Sequence, residues 1–221
     1  MTQKIILALL LFSAIGCKSQ EKKGNITTQQ KDSMEQFDIK KYEKLEKDNK
    51  YESKENDVFY RSDITRYRII FQDVIQVEER KVDSPYKLYK IYFKNTFNLK
   101  GIEKTFYGFS IGITKEYDEN GELIKETNYD LLYKFSIEDL REKIKREYKV
   151  DIVSDYKDSD PTLIIVNRWE GYHSDGGIYK KGVPMYQLKF SILNKGTVNL
   201  EINALNGETI MEMLNGKQIK P

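Results

Sequence analysis

The chain has 221 residues, 39% of them hydrophobic and 12% aromatic, enough for one ordinary domain or two small ones. Thirty-seven Lys and Arg against 35 Asp and Glu leave a formal charge of +2, and this balance excludes the broad cationic face that nucleic-acid binding needs. One Cys and one His exclude an internal disulfide framework, a Cys-rich zinc site and most Cys/His catalytic clusters.

At the start of the chain Lys4 precedes an apolar run over 5–12, and Ser13-Ala14-Ile15-Gly16 leads into Cys17. A basic start, a short apolar stretch and a small-residue region have the layout of a secretory signal. The run is too short to span a bilayer, which takes about 20 apolar residues. Ala14-Ile15-Gly16-Cys17 resembles the lipobox of bacterial lipoproteins. That resemblance implies that 1–16 are removed as a signal peptide and that the Cys17 thiol carries the lipid. The partner at this end is then membrane lipid, bound through acylated Cys17. Lys18 stands where an Asp would imply inner-membrane retention, so the resemblance implies an outer-membrane anchor facing the periplasm.

Residues 17–57 read as a lipid-anchored polar tether. Within it Phe37, Ile39, Tyr42 and Leu45 recur at helical intervals behind Asp38, a candidate N-cap, which predicts one short helix. Folding is expected to begin in earnest at Val58. From 58 to 134 the pattern is that of strands: Tyr67, Ile69 and Phe71, then 74–77, then Leu88, Ile91, Tyr92 and Phe93. Asn120-Gly121 is placed as the centre of a type I′ hairpin, which needs positive φ at both residues. Lys90, Tyr92 and Asn95 recur as Lys115, Tyr117 and Asn120, followed by Leu99 and Leu123, with Thr96 standing where the second copy has Gly121. With Gly108 and Gly112 between strands, this segment resembles the MORN-like variant repeats of Bacteroidota-type lipoproteins and of proteins labelled antitoxin components. The resemblance implies an antiparallel β-rich part and a role in immunity against an envelope toxin.

The remainder, 135–221, begins with a helix signal. Ser136 and Asp139 form a capping-box variant, and Ile137, Leu140, Ile144 and Tyr148 fall on one helical face. An apolar run over 162–169 follows, then a long loop over 170–184 and alternating strands. Val198, Leu200, Ile202 and Ala204 are predicted to point inward, with turns at Asn194-Lys195-Gly196 and Asn206-Gly207. The expected class is therefore α+β: an antiparallel β-rich part, then one helix packed on an antiparallel sheet. The closing run Ile202-Asn203-Ala204-Leu205-Asn206-Gly207-Glu208-Thr209-Ile210 resembles that of PepSY-like domains. That resemblance implies inhibition of a secreted protease or modulation of a peptidoglycan enzyme.

Candidate chemistry is sparse. Asp151, Asp155, Asp158 and Asp160 read as a solvated acidic turn, because the Glu and Gly positions of a calcium loop are missing, and no metal or cofactor is implied. His173 is followed by Ser174 and Asp175, but neighbours in sequence do not meet in triad geometry, so no catalytic residue is assigned. The loop 170–184 carries Tyr172, His173 and Tyr179 beside Lys180-Lys181, and this is the expected surface for an envelope protein partner. The expectation is a lipid-anchored, non-catalytic protein-binding or inhibitory module. The alternatives are an immunity protein against an envelope toxin and an envelope hydrolase acting on glycan through scattered acids such as Glu170 and Asp175.

Overall fold

Apolar residues with a period of two, punctuated by short polar turns, dictate antiparallel meanders. The structure, a computed structural model, describes residues 35–175 and 178–220, with 171–181 and 220 described by backbone alone. The chain opens with helix α1 (Ile39–Glu43), whose N-cap Asp38 accepts a hydrogen bond from the Lys40 N–H. Eight strands follow: β1 (Glu46–Lys47), β2 (Asp57–Arg61), β3 (Thr65–Phe71), β4 (Val74–Lys81), β5 (Tyr86–Phe93), β6 (Leu99–Phe106), β7 (Phe109–Tyr117) and β8 (Leu123–Asn128). Each pairs antiparallel with the next to make one sheet in sequence order. Helix α2 (Ile137–Tyr148) then leads into a second antiparallel meander. It consists of β9 (Ile164–Asp175), β10 (Ile178–Ile192), β11 (Gly196–Asn203), β12 (Thr209–Leu214) and β13 (Lys217–Lys220).

Folding starts well before Val58. Phe37, Ile39, Tyr42 and Leu45 pack on Tyr60, Ile69, Ile75, Val77 and Tyr92, which share one face of the first sheet. The Glu35 carboxylate accepts from Lys90 Nζ at 2.8 Å and from the Tyr92 hydroxyl at 2.7 Å, fastening this segment to β5. The tether assigned to 17–57 therefore ends before Glu35. The abundant Lys and Glu between these four residues hide an apolar stripe that composition alone averages away.

The repeated residues correspond to consecutive hairpins, β5–β6 and β7–β8, in which Tyr92 stands opposite Leu99 and Tyr117 opposite Leu123. The second turn is not type I′, since only Gly121 has positive φ, at 80°. Instead Asp118 accepts from the N–H groups of Asn120 and Glu122, while the Gly121 N–H donates to the Asp118 carbonyl. Asp118 thus supplies the turn through its side chain. In the first hairpin Phe97, at φ 62°, takes the left-handed position rather than Thr96.

In the second half, Ser136 and Asp139 form the reciprocal capping box, and Leu140 and Ile144 are buried one turn apart. They meet the inward residues Ile164 and Val166 of β9, Tyr186, Leu188 and Phe190 of β10, and Val198, Leu200 and Ile202 of β11. The same core takes in Phe106 from β6, with Tyr86, Phe109 and Ile111 from neighbouring strands of the first sheet. The described residues form one compact unit.

Polar contacts reinforce this junction, and they overturn the solvated reading for Asp151 and Asp158, whereas Asp155 and Asp160 are exposed. Asp151 is buried and accepts from Arg141 Nε and Nη2, both at 2.8 Å, and from the N–H groups of Val153 and Ser154. Asp158 lies between Arg66 of β3, at 2.6 Å, and Arg80 of β4. A carboxylate carried beyond α2 is thereby locked onto the first sheet. Within the turn, Asp151 is held by Arg141 and Asp158 by Arg66 and Arg80, while Asp155 and Asp160 remain exposed.

The Arg141 guanidinium holds the Asp151 carboxyl far below the usual carboxylate range. Because the folded value is depressed, its contribution to stability is complete above the unfolded value of about 4 and is lost as pH falls below it. Asp151→Asn is expected to flatten the fall in stability from about pH 5 downward. Urea midpoints measured across that range check this, and an acid limb as steep as in the parent chain would contradict it.

Candidate functional site

The segment expected to be a long loop is a hairpin. Tyr172 stands opposite Lys181, His173 opposite Lys180, Ser174 opposite Tyr179 and Asp175 opposite Ile178. The pairs between β10 and β11 run only from Met185–Asn203 to Ile192–Gly196. Among the described strands, 170–175 and 178–183 therefore pair with each other alone, as a ribbon extending about 20 Å at roughly 3.3 Å per residue. Gly171, Gly182 and Pro184 fall within this ribbon. The ribbon accommodates them because Pro184 sits at a register shift, where its carbonyl accepts from the Ala204 N–H at 2.8 Å while the Ala204 carbonyl accepts from the Phe135 N–H, so no acceptor needs the missing proline N–H.

Residues directly opposite share a face, and faces alternate along each strand. Tyr172, Ser174, Tyr179 and Lys181 thus fall on one face of the ribbon, and His173, Asp175, Ile178 and Lys180 on the other. By register Tyr172 and Tyr179 share a face and His173 falls on the other. The alternation also places Ser174 on the face opposite His173. Glu170 and Asp175 are five residues apart on one strand, about 16 Å at roughly 3.3 Å per residue, and occupy opposite faces. Paired glycosidase carboxylates need about 5 to 9.5 Å, so this pair does not meet that requirement.

The ribbon is rooted in the first sheet by Arg168 of β9, a residue that sequence reasoning passed over. Its side chain is only 6% exposed and donates to Asp130 Oδ1 at 2.7 Å and to the Tyr129 carbonyl at 3.3 Å. The guanidinium lies 4.0 Å from the ring centre of Tyr133, 5.1 Å from Phe109 and 5.6 Å from Tyr186. Tyr186 in turn donates to the Phe135 carbonyl at 2.9 Å. Burial pushes the hydroxyls of Tyr133 and Tyr186 up, so both stay neutral beside the cation. The available signal was a charge inside the apolar run 162–169, because a buried Arg demands an acid and favours ring faces. A pocket of about 290 Å³ opens at this root, bounded by Phe109, Leu132, Tyr133, Arg168 and Glu170. Exposed Tyr129 and Leu132 lie on its rim.

A second pocket, of about 370 Å³, lies over the first sheet beside Tyr51, Phe59, Arg66, Arg68, Glu78, Arg80 and Lys87. Its cations are matched by Asp48, Asp57, Glu78 and Asp158. Four positive groups facing four carboxylates make a neutral network that fastens strands and the 151–160 turn together. Asp48 had been read as part of the tether and instead sits buried under Arg66.

Cys17 and the tether residues before Glu35 lie outside the described residues. No helix among the described residues is long and apolar enough to cross a membrane. Comparison with known proteins finds no matching family model, no matching curated protein and no matching solved structure.

Proposed function

We propose that this chain is a lipid-anchored cell-envelope protein that binds or inhibits another protein without catalysis, with the β9–β10 ribbon as its binding arm. The observation that carries this reading is the register of the arm. Its outer residues have no third strand beside them, yet its root is clamped through Arg168. A backbone already paired into a ribbon on a packed base leaves less chain ordering to be done on binding. Tyr172 and Tyr179 sharing a face suit it to a protein surface, since Tyr offers large area with few rotamers.

The helix lying on one face of a sequential antiparallel sheet supports a PepSY-like reading of 135–221. The two echoing hairpins support a MORN-like reading of 58–134. Attachment through acylated Cys17 at the outer membrane, facing the periplasm, is supported by the spacing of the lipobox residues. Protease inhibition, modulation of a peptidoglycan enzyme and toxin immunity are all compatible with such an arm.

Changing Tyr172 and Tyr179 together to Ala is expected to lower recovery of the envelope partner in affinity capture about tenfold or more, the scale of a hot-spot loss. His173→Ala, on the opposite face, should leave it unchanged. Equal recovery with all three proteins would contradict the assignment.

A further inference from the structure

One end of the second sheet carries a feature unrelated to the arm. Leu193, at the apex of the β10–β11 turn, is 87% exposed, more than any other large apolar residue among those described. Asn194 at φ 61° and Gly196 at φ 105° shape the turn, and the Lys195 N–H donates to the Ile192 carbonyl. Asn215, in the neighbouring β12–β13 turn, accepts from the Thr197 N–H at 2.9 Å and donates to the Lys195 carbonyl at 3.0 Å. A Cβ on Gly196 would lie 2.0 Å from the Asn215 side chain, so the two turns are closely stapled. The Leu193 apex is therefore held out by a rigid base.

The two stapled turns carry charge of one sign. Lys195 and Lys217 belong to the stapled turns, and neither 191–200 nor 213–220 contains an Asp or Glu outside Met213's neighbour Glu212, which is buried. Exposed Leu163 lies at the same end, next to Ile164 opposite Phe190. The acid nearest in sequence to Leu163, Asp160, accepts from the N–H and hydroxyl of Thr162.

We propose that this end of the second sheet rests on an anionic lipid surface, with Leu193 entering the boundary between headgroups and acyl chains and Lys195 and Lys217 meeting lipid phosphates. An apolar apex flanked by lysines complements such a surface in both polarity and charge. The core of a protein interface is depleted in Lys and enriched in aromatic residues, which favours lipid over a protein partner here. One apolar side chain and two lysines bind weakly alone, so the contact orients a chain already held at a membrane. Its biological weight rests on the anchored reading, whereas the contact itself does not require acylation.

The test uses the full chain with Cys17→Ser, which removes both the acylation site and the single native thiol, and Leu193→Cys carrying an environment-sensitive dye. Vesicles of phosphatidylcholine with and without phosphatidylglycerol, doped with brominated lipid, are added. The expected result is a blue shift and several-fold stronger quenching with the anionic vesicles, lost in Lys195→Glu/Lys217→Glu. A dye at Ile124→Cys on β8, also highly exposed, should remain in water. The proposal is overturned if the 193 dye stays in water with both vesicles or if both positions are quenched equally. It is also overturned if the 193 dye responds only to soluble envelope protein. Because Cys17 is already replaced, none of these results depends on whether the native chain is acylated.

Discussion

Asp158→Ala is expected to destabilise the fold by about 3 kcal/mol, the scale of removing one partner from a buried ion pair. The side chain of Asp158 is 3% exposed and those of Arg66 and Arg80 are 15% and 14% exposed, so water from the pocket that both arginines line replaces the lost partner only in part. Arg66 would retain Asp48 at 3.1 Å, and Arg80 would retain Glu78 at 3.8 Å and the Tyr51 hydroxyl at 2.9 Å. These residual contacts keep the loss from being larger. The physical cause can be separated from simple truncation. Replacing all four groups together, Asp158→Leu and Asp48→Leu with Arg66→Met and Arg80→Met, should recover most of the stability, since a well-packed apolar set carries no desolvation penalty and no buried carboxylate is left without its arginine. Urea unfolding of the single and quadruple variants checks this. A single variant within about 0.5 kcal/mol of the parent, the range of ordinary surface changes, would show that the clamp adds nothing.

Phe106→Ala should be more severe, at about 4 kcal/mol, because a fully buried ring is deleted and the cavity cannot collapse against strands on both sides. Phe106 belongs to β6 of the first sheet, yet it packs with Tyr86, Tyr107 and Phe109 and lies in the core built by α2 and the second sheet. Its removal should therefore lower the stability of both sheets together. Trp169 of β9 is the single tryptophan and reports on the second sheet by fluorescence, while hydrogen exchange in β3 and β4 reports on the first. Coincident transitions, both shifted to lower urea, are expected. A shift seen by one probe alone would mean that the sheets unfold independently.

How much of this could be read from the sequence depended on whether a residue's partner was near in the chain. Asp38, Ser136 and Asp139 act on groups two or three residues away, and their caps are legible as local patterns. The inward set Val198, Leu200, Ile202 and Ala204 is also legible, because one buried face imposes strict alternation. The turn at Asn120 was misread because Asn-Gly suggests two positive φ values, whereas Asp118 competes as a side-chain acceptor. The strand β13 after Asn215-Gly216 was missed because it is only four residues long and largely exposed.

The site was less legible, for the same reason. Asp158 finds Arg66 and Arg80 at separations of 92 and 78 residues, and Arg168 finds Asp130 at 38. Nothing local distinguishes such an acid from a solvated one. Tyr172 and Tyr179 were picked out as a surface, but their sharing of a face follows only from the pairing of β9 with β10.

The central claim, that the ribbon's tyrosine face is where a partner sits, is tested most directly by placing a photo-reactive amino acid at 172, at 179 and at the exposed β8 position 124 in the native envelope. The account predicts one common protein cross-linked from 172 and 179 and absent from 124. Cross-linking of that protein from 124 alone, or equally from all three positions, would contradict it.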